Sequence, residues 1–210
     1  MTAAVLLCSG GLDSTTIAYQ LAERSVDFVP LFVDYGQHCA ATEKEALERV
    51  LTDKCPRPIE VIDVSGVYHR AESRMVREAD LWVEKVVADD LFLPYRNLLL
   101  ITLAAAFSQN CGAAEVYAGF INSNHAKEID CTEAFFGQLE GLLANVGTAK
   151  LVMPFRRWTK VEVWREAVRL GVPAHLTYSC QARSIVPCGA CPNCVDRLEG
   201  RRSLLDEWTD

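Results

Sequence analysis

Seven residues near the start of the chain carry the clearest chemical signal. An apolar run from Ala3 to Cys8 leads straight into Ser9-Gly10-Gly11-Leu12-Asp13-Ser14-Thr15, and a helical pattern follows. Paired glycines let a backbone turn sharply and approach a ligand that a Cβ would obstruct. A helix opening near Ser14 offers unpaired N–H groups and the positive end of its dipole to an anion. Ser9, Ser14 and Thr15 add hydroxyl donors, so the segment reads as a phosphate cradle. The plainer reading is a capped helix start, with Asp13 or Ser14 as N-cap. Neither GxxxxGK[ST] nor GxGxxG is present, and no lysine follows the glycines. A metal or distant basic residues must therefore balance the phosphate charge. Asp13 repels phosphate itself but suits Mg²⁺.

The second signal lies in the tail, where Cys180, Cys188, Cys191 and Cys194 are spaced C-x7-C-x2-C-x2-C. Four thiolates at such spacing fit tetrahedral Zn²⁺, and a closed shell of four leaves no open position for catalysis. An iron–sulfur cluster takes the same ligand set. The other five cysteines, Cys8, Cys39, Cys55, Cys111 and Cys131, are scattered. An odd total of nine suits a reducing, cytoplasmic setting better than a secreted disulfide framework.

Three further places offer polar groups near strand or helix ends. Asp34, Tyr35 and Gln37 follow the second apolar run, beside the first loop, where the adenosine of a bound nucleotide would lie. Arg96 and Asn97 stand at the mouth of an apolar helical pattern, and a guanidinium there is the counter-charge that the lysine-free loop lacks. Lys160 opens another helix, where a cation opposes the dipole, and that local cost points to an anionic partner. Arg156 and Arg157 read as surface charge.

The elements that must position these groups alternate. Strand-like runs at Ala3–Cys8, Phe28–Asp34, Ile59–Val64, Glu115–Phe120 and Leu151–Met153 are separated by helical patterns. The helices are expected at Thr16–Glu23, Ala41–Leu51, Asn97–Asn110, Thr132–Ala144 and Lys160–Leu170. That alternation predicts a parallel sheet with helices on both faces, an α/β fold. Tyr68–Leu91 is charged and weakly periodic, and reads as an insertion over the sheet. A nucleotide-binding domain is expected over 1–170 and a small metal-binding subdomain over 171–210. The chain has 210 residues, half of them hydrophobic, and a net charge of −7, which argues against gripping nucleic acid through its phosphates. No apolar run looks long enough to cross a bilayer and no basic-flanked leader is read, so no membrane association is expected.

Taken together, Ser9–Thr16, Val33–Gln37, Arg96-Asn97, the Trp158–Lys160 segment and the four-cysteine tail resemble the 7-cyano-7-deazaguanine synthase family. This is a group of PP-loop N-type ATP pyrophosphatases, and the resemblance runs from Val5 to about Leu198. It implies a Rossmann-like fold, usually dimeric, with one structural zinc. It also implies ATP-dependent adenylation of 7-carboxy-7-deazaguanine, amidation by ammonia, and a second activation that leaves the nitrile. Carried over, Asp13, Arg96 and Lys160 are catalytic, and Ser9, Gly10, Gly11, Asp13, Ser14, Thr15 and Asp34 hold ATP. Tyr35, Gln37, Asn97, Gly119 and Asp130 receive the substrate. A carboxylate at 130 matches two adjacent N–H donors of a guanine-like edge, although Asp130 also suits an N-cap for the following helix.

The substrate half departs from the family pattern. After the fourth strand the family carries Ser-Gly-Tyr-Pro where this chain has Ala126-Lys127-Glu128-Ile129, and Thr132 replaces an arginine. Gln181-Ala182-Arg183 replaces Tyr-Asn-Gly, Tyr95 replaces Gly or Asn, and the second-strand motif ends Gln37-His38-Cys39. Three other functions stay open beside the synthase. One is a paralogue that joins the activated acid to another amine, a small molecule or a protein terminus. The second is a tRNA-thiolating enzyme with Cys39 or Cys131 as its thiol, and the third is a zinc module without catalysis.

Overall fold

The structure is a computed structural model, and it describes residues 4–121 and 129–207. Strands β1 (Ala4–Leu7), β2 (Phe28–Asp34), β3 (Glu60–Asp63), β4 (Glu115–Ala118) and β5 (Lys150–Val152) form one sheet in the order β3-β2-β1-β4-β5. Every pairing is parallel, with Val5 set between Val29 and Val116. Successive side chains of a strand point to opposite faces, so a central strand covered on both sides must be apolar throughout.

The two faces of β1 show this directly. Ala4 and Leu6 enter a core with Ile17 and Leu21 of α1 (Leu12–Glu23), Leu47 and Val50 of α2 (Ala40–Leu51) and Trp164 of α5 (Lys160–Arg169). Val5 enters the opposite core with Ile101 and Ala104 of α3 (Arg96–Cys111) and Phe136 and Leu139 of α4 (Glu133–Val146). The α/β sheet with helices on both faces is as the alternation predicts. From β1 the chain builds β2 and β3 on one side, then crosses to build β4 and β5 on the other. The crevice beyond the carboxyl ends of β1 and β4 is where such sheets take ligands.

Several expectations need correction. Helix α1 begins at Leu12 with Gly11 as N-cap and no side-chain cap, so neither Asp13 nor Ser14 caps it. Helix α4 is capped by Thr132, whose Oγ1 accepts from Phe135 N at 3.1 Å, so Asp130 is not the cap. Arg156 is largely covered: it pairs with Glu133 and Glu140 and lies 5.4 Å from the Phe136 ring, whereas Arg157 is exposed. A sixth helix, α6 (Pro192–Glu207), was not anticipated; it packs on α5 and places Leu204 in the first core. A Cβ at Gly200 would lie 2.6 Å from Lys160 Cγ and 2.9 Å from Trp164 Cδ1, so this glycine sets how closely α6 approaches α5. One helical stretch, 88–111, is long and apolar enough to span a membrane, contrary to the sequence expectation. Its Ile101, Ala104, Ala105 and Ser108 are buried against the sheet, which accounts for the apolar composition.

The 68–91 insertion has little regular structure but is anchored at both ends. Met75 packs with Tyr35 and Leu93, while Ala79 and Val86 pack with Cys180, Cys191 and Cys194.

Candidate functional site

The glycine-rich loop is fixed from three sides. Gly10 has φ +74°, and a Cβ there would lie 2.6 Å from Glu43 O and 2.7 Å from Leu47 N, so the loop rests on the first turns of α2. A Cβ at Gly119 would lie 3.0 Å from Ser14 N, which brings the end of β4 against the first turn of α1. On the third side, Tyr178 N donates to Gly10 O at 2.9 Å. Within the loop, Ser9 N donates to Ser14 Oγ at 3.5 Å, and Ser14 Oγ donates to Gly11 O at 3.4 Å. Thr15 Oγ1 is buried without a hydrogen-bond partner.

A cavity of about 300 Å³ opens over this loop. Its wall includes Ser9, Gly11, Asp13 and Ser14 from the loop, Tyr35 and Gln37 after β2, Arg96 and Asn97 at the start of α3, Gly119 after β4, and Lys160. Residues as far apart in sequence as Leu7 and Arg197 therefore share one hollow. Four expected residues stand outside its wall. Gly10 faces α2, and Thr15 is buried within α1. Asp34 shapes a turn, its Oδ1 accepting from Gly36 N at 2.9 Å. Asp130 accepts from Asn97 Nδ2 through its backbone carbonyl at 3.2 Å, and the same amide donates to Cys131 Sγ at 3.0 Å. Residues 122–128, which contain most of the altered strand-four stretch, lie outside the described residues.

Lys160 is paired with carboxylates of the chain itself. Its Nζ lies 2.9 Å from both oxygens of Asp13 and 3.3 Å from Asp196 Oδ2. Burial works against the charged ammonium, but the Asp13 and Asp196 carboxylates outweigh it and hold the Lys160 pKa above its ordinary value. The helix beneath is capped independently: Thr159 Oγ1 accepts from Glu162 N, and Glu162 Oε2 accepts from Thr159 N at 2.6 Å. The loop's acid and the distant cation thus form one unit, closed by an aspartate from α6.

Three charged wall residues, Asp196, Arg197 and Glu43, had not been singled out. Arg197 of α6 donates to Thr177 O at 3.2 Å and Ser179 Oγ at 3.1 Å, and its guanidinium lies 5.9 Å from the Trp164 ring centre. Burial lowers its pKa. Glu43 of α2 is 4% exposed, with Oε2 accepting from Gln37 Nε2 and Oε1 from Gln181 Nε2, both at 3.1 Å. Burial pushes its carboxyl pKa up, against the pull of those two amides. A first-turn acid on a helix reads in sequence as an ordinary dipole partner, and nothing distinguished this one.

The Sγ atoms of Cys180, Cys188, Cys191 and Cys194 all lie within 4.8 Å of one another. Zn–S bonds of ~2.3 Å at tetrahedral angles put sulfurs about 3.8 Å apart, so the set needs little adjustment. Backbone N–H groups already point at the sulfurs, from Cys188 to Cys180 Sγ at 3.4 Å and from Cys191 to Cys188 Sγ at 3.2 Å. The donor set fits zinc. By contrast Cys39 is fully buried and desolvation pushes its thiol pKa up, the wrong direction for a reactive thiolate.

Comparison with known proteins adds the following. The family model described as "Queuosine biosynthesis protein QueC" matches residues 3–205. A 7-cyano-7-deazaguanine synthase of Methanoculleus marisnigri is 30% identical over 215 residues, covering 97% of this chain and 96% of that protein. The synthase of Picrophilus torridus is 31% identical, covering 95% and 87%. That of Campylobacter hominis is 28% identical, covering 94% and 93%. Among solved structures, a 4-thiouridine synthetase–RNA complex with bound ATP superposes with a TM-score of 0.57 at 17% identity. The match covers 98% of this chain and 51% of that one, and shows a shared fold.

The Lys160 cluster makes a stability prediction. Its side chain and that of Asp13 are 19% and 26% exposed, and that of Asp196 37%, between the surface and buried limits. Surface pairs contribute about 0–1 kcal/mol and broken buried pairs cost about 3–5 kcal/mol, so Lys160→Met should cost about 1–3 kcal/mol. A raised lysine pKa stabilises fully below the unfolded value of 10.5 and less as pH rises through the higher folded value. Urea midpoints of wild type and Lys160→Met should therefore differ at neutral pH and converge in strong alkali; equal midpoints at neutral pH would contradict the cluster.

Proposed function

The chain belongs to the QueC family of queuosine biosynthesis proteins, and from that membership we propose that it converts 7-carboxy-7-deazaguanine to 7-cyano-7-deazaguanine. ATP is the co-substrate, ammonia the amine, and AMP and pyrophosphate the products. The observation that carries the reading is the glycine-rich loop at the β1/β4 crevice, clasped to Lys160 through Asp13.

Each group has a part in that chemistry. The N–H groups at the start of α1, with the Ser9 and Ser14 hydroxyls at the cavity wall, hold the pyrophosphate that leaves when the acid's oxygen attacks the α-phosphorus. Arg96, at the cavity wall, offsets charge on the phosphates. Lys160 holds Asp13 in place and sets its charge against the developing anion. Asp13, which retains acceptor capacity beyond its two Lys160 contacts, would hold Mg²⁺ with Asp196 nearby. Bound there, the ion neutralises phosphate oxygens. Tyr35, Gln37, Asn97 and Gly119 receive the deazaguanine, with Asp130 for its amino edge. Asp34 turns the chain beside the adenosine. The four cysteines hold zinc as a folding element, since metal affinity adds to folding free energy.

We read 1–170 as the nucleotide part and 171–210 as the zinc-bearing part of a homodimer working in a reducing cytoplasm. That setting is supported by nine free cysteines. The acidic balance of −7 speaks against direct nucleic-acid binding. A second reading, conjugation of the activated acid to another amine, draws support from Gln181: it is buried against Glu43 where the family pattern has a different residue set.

With 7-carboxy-7-deazaguanine, ATP, Mg²⁺ and ammonium, mass spectrometry should find the nitrile together with AMP and pyrophosphate. ADP and phosphate would contradict the activation chemistry, and acid-dependent AMP without nitrile would favour the conjugating reading. Protein purified without chelator should contain one zinc per chain, and Cys188→Ser should lower the melting temperature. Absence of both zinc and iron would remove the metal site, and iron in place of zinc would identify a cluster.

A further inference from the structure

Glu43 takes no part in holding phosphate or the zinc cysteines, yet it forms part of the cavity wall. Of the cavity's three carboxylates, Asp13 and Asp196 are paired with Lys160. The oxygens of Glu43 are met instead by neutral amides. Those amides are themselves pinned. Gln37 donates also to Val33 O at 3.2 Å and accepts from Tyr35 N at 2.9 Å, while Gln181 Oε1 accepts from Cys39 Sγ at 3.5 Å. The two amides fix the orientation of the carboxylate and take two of its roughly four acceptor sites, and the Cys39 thiol bonds to it as well. The Glu43 backbone carbonyl also lies against Gly10, so the side chain stands directly behind the phosphate loop.

An amidation needs what this group provides. At neutral pH ammonia is chiefly ammonium, which has no lone pair and must lose a proton before it can attack. We propose that Glu43 is the receptor for the amine: its carboxylate binds ammonium in the cavity and removes one proton, generating the nucleophile. The proposal rests on the ATP-dependent amidation reading above. Ammonium gives a proton to Glu43, leaving neutral ammonia and a carboxylic acid. The ammonia lone pair forms the C–N bond to the acyl carbon, the C–O bond to the phosphoryl oxygen breaks, and its electron pair departs with AMP. The nitrogen's surplus proton passes to water, and Glu43 releases its own proton to solvent to reset. The titratable and charged groups facing Glu43 are the Arg96 guanidinium, the Tyr35 and Tyr178 phenols and the Cys39 thiol. Burial raises the basicity of the carboxylate, while the two amides, the Cys39 thiol and the Arg96 guanidinium favour its charged form.

The test separates activation from amination by using two amines on the whole protein with 7-carboxy-7-deazaguanine and ATP. Hydroxylamine is largely unprotonated at neutral pH and traps the activated acid as a hydroxamate without needing a base. Glu43→Gln should lower ammonium-dependent amide formation about 10²-fold while hydroxamate formation changes little. Glu43→Asp keeps the charge and the fold but withdraws the carboxylate by one methylene, and should raise the KM for ammonium about tenfold without changing hydroxamate yield. Unchanged ammonium kinetics in both variants would overturn the proposal, as would a parallel loss of amide and hydroxamate in folded Glu43→Asp, which would make Glu43 a binder of the acid. No hydroxamate from wild type would instead overturn the activation reading itself.

Discussion

The structure depends on how closely backbone is allowed to approach backbone at the glycine-rich loop. Gly10 sits against Glu43 O and Leu47 N at distances that leave no room for a Cβ, and Gly119 does the same against Ser14 N. These two contacts force the start of α1, the start of α2 and the end of β4 to converge on one point. Once they converge, the loop and polar residues from the ends of several elements line one shared hollow. The cavity wall follows from that packing, with Tyr35 and Gln37 contributed by β2 and Arg96 and Asn97 by α3.

The carboxy-terminal segment completes the site. Cys194 and Asp196 are two residues apart on α6, so the helix that carries one cysteine of the cluster also delivers a carboxylate to Lys160. On the upstream side Tyr178 bonds to the loop and Gln181 to Glu43, flanking Cys180. A metal held by these cysteines would constrain both approaches to the cavity, which gives the four-cysteine cluster a direct bearing on the site. The insertion adds a further tie, since Met75 and Ala79 pack on the β2 turn and on the cysteine cluster respectively.

The central strands, the loop and the cysteines were legible because each rests on local chemistry: an apolar run covered on both faces, paired glycines, four thiols at metal spacing. Helix α6 was hidden because its sequence is charged, although it packs closely on α5, with Leu204 in the core and Gly200 pressed on Lys160 and Trp164. Without α6 in view, Asp196 and Arg197 had no visible route to the site. The need of Lys160 for an anion was readable from its position at a helix start. That the anion is the loop's own Asp13 required the fold, because 147 residues separate them. Glu43 failed to stand out for a related reason: one of the two amides that hold its carboxylate comes from Gln181, far along the chain.

If the loop activates a carboxylate by joining it to the α-phosphorus of ATP, an oxygen atom must pass from the acid to AMP. Supplying 7-carboxy-7-deazaguanine with both carboxyl oxygens replaced by oxygen-18, and weighing the AMP released, tests this most directly. The account predicts one oxygen-18 in each AMP. Unlabelled AMP, with the label retained in the acid or found in phosphate, would contradict it.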